Sequence, residues 1–311
     1  MRLVFCGTPQ FAVPTLESLI AAGHEIALVV TQPDRPQGRG LEVTTSPVKQ
    51  RAQKHGLPIT QPEKIKNNTE FRKQLEEIAA EAIIVVGYGR LIPPWMLSLP
   101  PRGNINLHGS LLPKYRGAAP IQWAIAEGET VSGVTTMLLN EGLDTGDMLM
   151  ERDLAIGPDE NAIGYGERLS AVGAELMVET LRGLEAGSIH PREQDHSRAS
   201  LAPILKKEDG LADFSFSAKR IYNRLRGFQP WPGCYTTFRG KKLAIHAARP
   251  QASAPQHGSG SAIIDGDRLF VSCSGNSVLE LLEVQPEGKR RMSAGDFLRG
   301  YRPTVGERLG S

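Results

Sequence analysis

Short, wholly apolar runs alternate with segments of helical periodicity through the first half of the chain. The apolar runs, typical of strands buried on both faces of a sheet, lie at 3–5, 26–30 and 82–86. The segments between them that carry apolar residues at helical spacing lie at 11–22, 48–55 and 70–80. Further short strands are predicted at 58–60, 105–107 and 134–139, and a helix at 169–184. This alternation predicts an α/β domain with a Rossmann-like, doubly wound parallel sheet.

The sequence changes character after residue 187. Residues 187–213 have no sustained periodicity and carry prolines and charges, which is typical of a linker. Beyond a predicted helix at 217–227, short strand-like runs lie at 234–238, 243–248, 262–264, 269–272 and 278–284. Such runs favour a small β-barrel, OB-like in type. We therefore predict a catalytic domain over 1–189, a linker over 190–206 and a C-terminal β-barrel domain over 207–311.

The distribution of charge separates the two parts of the chain. Residues 1–200 hold 19 Lys+Arg and 24 Asp+Glu, whereas residues 201–311 hold 17 and 10. An excess of +7 in the C-terminal part predicts contact with a polyanion, with a solvated basic surface as the alternative. Overall, 40% hydrophobic and 23% charged residues are values of globular proteins, which excludes a disordered or fibrous class.

The cysteines and the N-terminus exclude other classes. Cys6, Cys234 and Cys273 are isolated from one another, so they are predicted to be buried thiols and not zinc ligands or a disulfide framework. Residues 1–7 hold one basic residue and an apolar run that Gly7 interrupts, unlike a signal peptide. No stretch approaches membrane-spanning length. The expected protein is a cytoplasmic monomer with no membrane contact and no metal.

Two polar residues at the end of one predicted strand are candidates for catalysis. Asn106 and His108 lie two residues apart, so their side chains face the same side of the sheet. An amide donor and an imidazole at one point can stabilise an oxyanion and move a proton, as acyl transfer requires. Asp144 follows a neighbouring strand and would orient the imidazole, although Asp147 competes for that role. A strand-end Asn and a turn-capping Asp also have ordinary structural interpretations.

The stretch Asn106-x-His108-x-Ser110-Leu111-Leu112-Pro113-x-x-Arg116-Gly117 resembles the signature of the folate-dependent formyltransferases. The run at 142–147 resembles the partner loop of that family, and matches at 7–11, 88–93 and 230–233 extend the resemblance over essentially the whole chain. The resemblance implies that Asn106, His108 and Asp144 are catalytic and that 10-formyltetrahydrofolate is the formyl donor. By this reading an amine attacks the formyl carbon, Asn106 and His108 stabilise the tetrahedral oxyanion, and Asp144 supports proton transfer to the folate nitrogen.

The resemblance also implies three folate-binding segments. Their residues are Ser110, Leu111, Leu112 and Pro113; Tyr88, Gly89, Arg90, Leu91 and Ile92; and Asn140 with Gly142. Leucine side chains offer apolar surface to a planar donor, and exposed backbone beside glycines can pair with pterin edges. Ordinary packing is the alternative interpretation of these residues.

The acceptor is indicated by features outside this motif. Resemblance over both domains, together with the basic C-terminal part, implies initiator methionyl-tRNA as the acceptor and a role in translation initiation. The predicted tRNA contacts are Arg35 and Arg39 in a loop like the family's insertion loop, and Lys206, Lys207, Arg220 and Arg224 in the second domain. Leu41 and Glu42 stand where the family often has basic residues. The alternatives are a formyltransferase or hydrolase acting on a sugar nucleotide or purine precursor, and a non-catalytic RNA-binding protein.

Overall fold

A computed structural model describes residues 1–37, 42–252 and 257–310. The chain forms two compact units. The first comprises Met1–Pro120, Val131–Ala155 and Gly166–Pro203, and the second comprises Ile121–Thr130, Ile156–Tyr165 and Ile204–Ser311. The limits 1–189, 190–206 and 207–311 stay a prediction. The chain enters the second unit twice before residue 166, over 121–130 and 156–165, so no single boundary separates the two units.

The first unit is built on one sheet. Its strands, with two short pairs beside the sheet, are β1 (Arg2–Gly7), β2 (Glu25–Val30), β3 (Arg35–Gln37), β4 (Glu42–Thr44), β5 (Ile59–Thr60), β6 (Ala82–Val86), β7 (Asn104–His108), β8 (Arg116–Gly117), β9 (Val131–Leu138), β10 (Met148–Ala155) and β11 (Leu201–Ala202). The sheet has the order β10-β9-β7-β6-β1-β2-β5, while β3 pairs with β4 and β8 with β11. The predicted α/β fold with a parallel sheet is confirmed, because the neighbouring strands β7, β6, β1, β2 and β5 are all parallel. Strands β9 and β10 add an antiparallel edge.

Strands that are buried on both faces could be predicted from the sequence, whereas a strand with one exposed face could not. All five residues of β6 are buried, as an apolar run on both faces requires. Strand β10 was not predicted: its solvent-facing positions alternate with partly buried ones, and it carries Glu151, Arg152 and Asp153. An edge strand with one wetted side tolerates such charges, which hide its periodicity.

Helices alternate with strands along the chain up to residue 185. They are α1 (Val13–Ala21), α2 (Pro47–Lys54), α3 (Thr69–Ile78), α4 (Pro94–Leu97), α5 (Pro120–Ala126) and α6 (Ala162–Glu185). The Ser46 hydroxyl caps α2 by accepting from Lys49 N, and Asn68 caps α3 in the same way. Helix α6 begins seven residues before the predicted start, because Gly164 and Gly166 weaken the helical pattern of its first turns.

The second unit contains an antiparallel sheet. Its elements are α7 (Ala218–Gly227), β12 (Cys234–Phe238), β13 (Lys241–Ala252), β14 (Ala262–Asp265), β15 (Arg268–Cys273), β16 (Ser277–Pro286), β17 (Met292–Ser293) and α8 (Ala294–Tyr301). The order is β12-β13-β16-β15-β14, with β17 on β16. The C-terminal segment bridges both edges of this path, through Leu309 to Phe238 and through Arg308 to Ser261. This link supports a barrel-like unit, although the strands themselves form no closed ring among the described residues.

Three further sequence-based expectations concern thiols, metals and membranes. All three cysteines are buried and free, as predicted, and burial raises the pKa of Cys234 and of Cys273 to about 12. Within the described ranges, no three His, Cys, Asp or Glu side chains are grouped so that they can hold a metal ion. None of the described helices is long and apolar enough to span a membrane.

Candidate active site

Asn106 and His108 lie on β7, an inner strand between the parallel strand β6 and the antiparallel strand β9. Both side chains are buried, with 8% and 5% of their surface exposed. Strand alternation turns them to the same face. No described residue forms a hydrogen bond with the side-chain amide of Asn106, so the NH₂ donors of this side chain are available to a bound molecule.

The imidazole of His108 is oriented by a backbone carbonyl. Its Nε2 lies 2.9 Å from Tyr115 O, and since a carbonyl only accepts, Nε2 carries the proton. The other ring nitrogen, Nδ1, lies 3.7 Å from Asp144 Oδ2. In the neutral ring Nδ1 is therefore the nitrogen with the free lone pair, and a carboxylate oxygen lies beside it.

Asp144 is the carboxylate nearest His108, and Asp147 is exposed. The Oδ2 atom of Asp144 accepts a hydrogen bond of 2.8 Å from Gly117 N, which lies within the signature motif. The backbone of Asp144 is left-handed, with φ of 50°, which a short polar side chain tolerates better than most. At Gly146 a Cβ atom would lie 1.8 Å from Leu138 O, so only glycine fits there. The glycines beside Asp144 thus permit the turn that carries it to His108.

The motif loop after β7 is held by internal hydrogen bonds. Leu112 N donates to Thr135 Oγ1, and the Thr135 hydroxyl donates to Ser110 O. Ser110 Oγ donates to Lys114 O at 2.6 Å. The Leu112 side chain is buried against Met137 and Met148 and so faces the protein interior, whereas Leu111 and Pro113 are partly exposed.

The loop after β6 divides into a buried and an exposed part. The Tyr88 side chain is buried in the core, and burial raises its pKa, while its carbonyl accepts from Thr8 Oγ1 and Gln32 Nε2. Arg90 Nε donates to Gln32 Oε1 at 3.0 Å. Gly89 is exposed and Leu91 is 80% exposed. Of the predicted folate-binding residues here, Leu91 and the Gly89 backbone are accessible, Ile92 is partly exposed, and the Tyr88 side chain is not accessible.

The loop after β9 is shaped by Asn140. Its Oδ1 accepts from Gly142 N at 3.0 Å and from Thr145 Oγ1 at 2.9 Å. Both Asn140 and Gly142 are exposed, and the neighbouring Leu143 is 54% exposed. This loop thus presents exposed backbone and one apolar side chain next to Asp144.

The predicted tRNA-contact residues are exposed wherever the structure describes them, apart from the partly buried Arg224. Arg39 lies outside the described residues. In the second unit Arg220 is stacked over the Phe216 ring at 4.0 Å, and Arg224 lies near the rings of Phe216 and Phe228. Lys206 and Lys207 stand at a short 3-10 helix with their side chains in solvent.

Several residues around Asp144 were not predicted from the sequence as part of the site. Tyr115 contributes the carbonyl to His108, and Gln194 donates to the carbonyls of Asp144 and Gly146. Ser200 Oγ accepts from Tyr115 N. Tyr115 acts through its backbone, which no side-chain pattern reveals. Gln194 and Ser200 lie within 187–213, where the sequence has no periodicity that would mark them.

A family model described as formyl transferase matches residues 1–181, and one described as formyl transferase, C-terminal domain, matches residues 204–302. Proteins named methionyl-tRNA formyltransferase are similar over the whole chain. That of Koribacter versatilis is 60% identical over 310 residues, covering 100% of this chain and 99% of its own length. That of Acidobacterium capsulatum is 59% identical and is covered completely in both directions.

Solved structures with the same fold are more distant. An N-formyltransferase from Helicobacter canadensis, in complex with folinic acid and dTDP-3-aminofucose, aligns with a TM-score of 0.67 at 16% identity, covering 91% of this chain and 98% of its own. HypX from Aquifex aeolicus, in complex with tetrahydrofolic acid, aligns with a TM-score of 0.64 at 16% identity, covering 99% of this chain and 48% of its own. With both family models matched, and with Asp144 beside His108 at the carboxyl end of β7, the chain belongs to the formyl transferase family.

Proposed function

We propose that this chain transfers the formyl group of 10-formyltetrahydrofolate to the free amino group of initiator methionyl-tRNA, giving N-formylmethionyl-tRNA. The observation that carries the proposal is the position of Asp144 beside His108 at the carboxyl end of β7, the strand that also carries Asn106. It occurs in a chain that is 60% identical over its whole length to a protein named methionyl-tRNA formyltransferase. Because aminoacyl-tRNA is used in translation, the expected compartment is the cytoplasm.

The three polar side chains match what formyl transfer requires of a protein. When bound, 10-formyltetrahydrofolate supplies an activated formyl carbon. The Asn106 amide has free donors for an oxygen that becomes negative as the carbon is attacked. His108 is fixed through Nε2 by Tyr115 O and offers Nδ1 to a proton from the attacking amine. Asp144, 3.7 Å from Nδ1, stabilises the protonated imidazole and passes the proton towards the leaving nitrogen.

The surroundings of Asp144 and the loop after β6 fit a flat donor with polar edges. Leu91 and Leu143 are among the most exposed large apolar side chains of the first unit. Apolar side chains that face solvent beside a catalytic group are typical of a ligand surface. Exposed backbone at Gly89 and Gly142 supplies hydrogen-bonding groups next to them. Leu112 contributes to this site by fixing the motif loop against Met137 and Met148.

The charge of the C-terminal part of the chain suits a polyanionic acceptor. Lys206, Lys207 and Arg220 are exposed, and residues 201–311 carry an excess of +7. In the first unit Arg35 is exposed at the start of the β3–β4 hairpin. Phosphate contacts by such side chains provide affinity that falls as salt is raised. A small acceptor such as a purine precursor does not need this surface.

A competition between acceptors tests the proposal. The purified chain is given 10-formyltetrahydrofolate with methionyl-tRNA, glycinamide ribonucleotide or a dTDP-amino sugar, and formylated product is quantified. We expect transfer to methionyl-tRNA alone, and almost complete loss of transfer in His108→Ala. Transfer to another acceptor but not to methionyl-tRNA would overturn the acceptor, and full turnover by His108→Ala would overturn the assignment of the site.

A further inference from the structure

Residues 192–202, here called the clasp, join the two loops that form the active site. On the side of the Asp144 loop, Arg192 and Met148 exchange two backbone hydrogen bonds, of 2.8 and 2.9 Å. On the side of the motif loop, Arg116 N donates to Ser200 O at 2.8 Å, and β8 pairs with β11. The segment predicted as part of a linker therefore contacts both halves of the site within the first unit.

Gln194 is the residue of the clasp that reaches the catalytic turn. Its side chain is 3% exposed. Its Nε2 donates to Asp144 O at 2.9 Å and to Gly146 O at 2.7 Å. Its Oε1 accepts from Arg116 Nε at 3.1 Å and from Arg116 Nη2 at 2.6 Å. Both donors and both acceptor positions of the amide are used, so its orientation is fixed by its partners.

Asp144 depends on these bonds because its backbone is in a sparsely populated conformation. A left-handed φ of 50° at a residue other than glycine persists only where its surroundings hold it. Gln194 holds the carbonyl of Asp144, and Gly117 N holds its carboxylate at 2.8 Å. The two contacts come from different segments of the chain, the clasp and the motif loop, and together they fix the position of Oδ2 relative to His108.

Arg116 fixes Gln194 in turn. Its guanidinium is buried, with 7% exposed, and no described carboxylate forms an ion pair with it. Its other side-chain contact is His196 Nδ1, 2.9 Å from Nη2. Since arginine only donates, it selects the carbonyl end of the Gln194 amide and directs the NH₂ group to the Asp144 turn. The signature arginine thus acts on the catalytic carboxylate through a glutamine.

We propose that Gln194 is a positioning residue for formyl transfer, which acts by holding the Asp144 turn and is itself oriented by Arg116. The proposal rests on the function proposed above. Gln194 touches neither donor nor acceptor in this scheme. Its loss should therefore slow the chemical step while leaving the binding of both substrates largely intact.

Gln194→Glu isolates the two donors. A glutamate has the same length and still accepts from Arg116, but as a carboxylate it has no proton for the carbonyls of Asp144 and Gly146. We expect kcat to fall by about 10- to 100-fold, because small displacements of catalytic groups have effects of that order. The KM values for 10-formyltetrahydrofolate and methionyl-tRNA should change by less than about 3-fold. Gln285→Glu is the matched control, since Gln285 Nε2 also donates to a backbone carbonyl, that of Lys289, in the second unit.

Assays are run well below the unfolding midpoint of every variant, so that a loss of folded protein does not lower kcat. Gln194→Met, which keeps the volume but has no polar group to bind Arg116 or the carbonyls, gives the same reading if the glutamate variant does not fold. An unchanged kcat in a folded Gln194 variant, or an equal fall in Gln285→Glu, overturns the proposal. A rise in KM with kcat unchanged also overturns it. Failure of the wild-type chain to formylate methionyl-tRNA would instead be a failure of the proposed function.

Discussion

Asp144 in the first unit and Glu280 in the second are both carboxylates with little access to water, yet their oxygens are used differently. Glu280 is 5% exposed, and its two oxygens accept from Arg268 Nε and Gln251 Nε2, both at 2.8 Å. Asp144 Oδ2 accepts from Gly117 N, whereas Oδ1 has no hydrogen-bond partner among the described residues. A carboxylate with both oxygens paired stabilises a fold, and one with an oxygen free can still exchange a proton. The contrast predicts that removing the charge of Asp144 lowers kcat with little effect on stability, and that removing the charge of Glu280 lowers stability with little effect on kcat.

Replacing Asp144 is expected to give the largest effect. Asp144→Asn keeps an acceptor for Gly117 N and tolerates the left-handed backbone, but it removes the charge beside His108. We expect kcat for formyl transfer to fall by about 100-fold or more, as for a lost group in proton transfer, with little change in the unfolding midpoint. Asp147→Asn is the matched control on the same loop, because Asp147 is exposed. Equal losses in the two variants would show that the loop and not the carboxylate matters.

Asn106 extends the contrast to a neutral group. Its amide is buried without a described partner, so it contributes no hydrogen bond to the fold. Asn106→Ala should reduce kcat by about 100-fold, as loss of an oxyanion donor does, while the free energy of unfolding stays the same or rises. Steady-state kinetics and thermal unfolding of one preparation test both parts. A destabilised variant with normal kcat would mean that Asn106 is structural.

The parts of the site that could be predicted from sequence are those carried by local pattern. β7 was predicted from a short apolar run, and the spacing of Asn106 and His108 then placed both on one face. Asp144 and Asp147 were not separable, because the turn between them is set by left-handed backbone and by the approach of Gly146 to Leu138 O. Neither is visible in residue types alone.

Long-range hydrogen bonds account for most of what was missed. Gln194 meets Asp144 across 50 residues, and Arg116 meets Gln194 across 78. A polar segment without periodicity is interpreted as a linker when its hydrogen-bond partners are not known. The apolar runs of β1, β2 and β6 were sufficient to predict the parallel core of the sheet. Strand β10 was not predicted, because charged residues on its exposed side hide the apolar pattern.

Glu280 should show the reverse of Asp144. Hydrogen bonding from Arg268, together with its charge, holds the pKa of the Glu280 carboxyl below its usual value. The stabilisation is therefore present above the unfolded pKa of about 4.3 and is lost as pH falls through the lower, folded pKa. Glu280→Gln should lower the free energy of unfolding by about 1 kcal/mol at pH 7, with kcat unchanged.

The difference in unfolding midpoint between wild type and Glu280→Gln should shrink as pH is lowered from 5 to 3. Glu283→Gln is the control on the same strand, β16, because Glu283 pairs with Arg291 and both side chains are about half exposed. An exposed pair of this kind contributes about 0.5 kcal/mol or less. A pH-independent difference for Glu280→Gln would contradict a role for its charge.

The arginines of the second unit divide in the same way, with a smaller expected effect. Arg299 is held by Asp296 Oδ1 at 2.7 Å, whereas Arg220 stacks on Phe216 and lies 4.0 Å from its nearest carboxylate oxygen, on Glu127. A guanidinium that is about half exposed and only weakly paired is the one available to a phosphate. Arg220→Ala should weaken methionyl-tRNA binding by about 2- to 5-fold and reduce the slope of log affinity against log salt by about one.

Arg299→Ala is the matched control for that measurement, because its charge is already compensated within the unit. Binding is followed by filter retention of labelled methionyl-tRNA over a series of salt concentrations, with kcat measured at saturating tRNA. Equal weakening in both variants would mean that only the net charge of the unit matters. Weaker binding in Arg220→Ala with an unchanged salt slope would mean that Arg220 acts through its stack on Phe216 and not through a phosphate, which would place it with Glu280 among the structural charges.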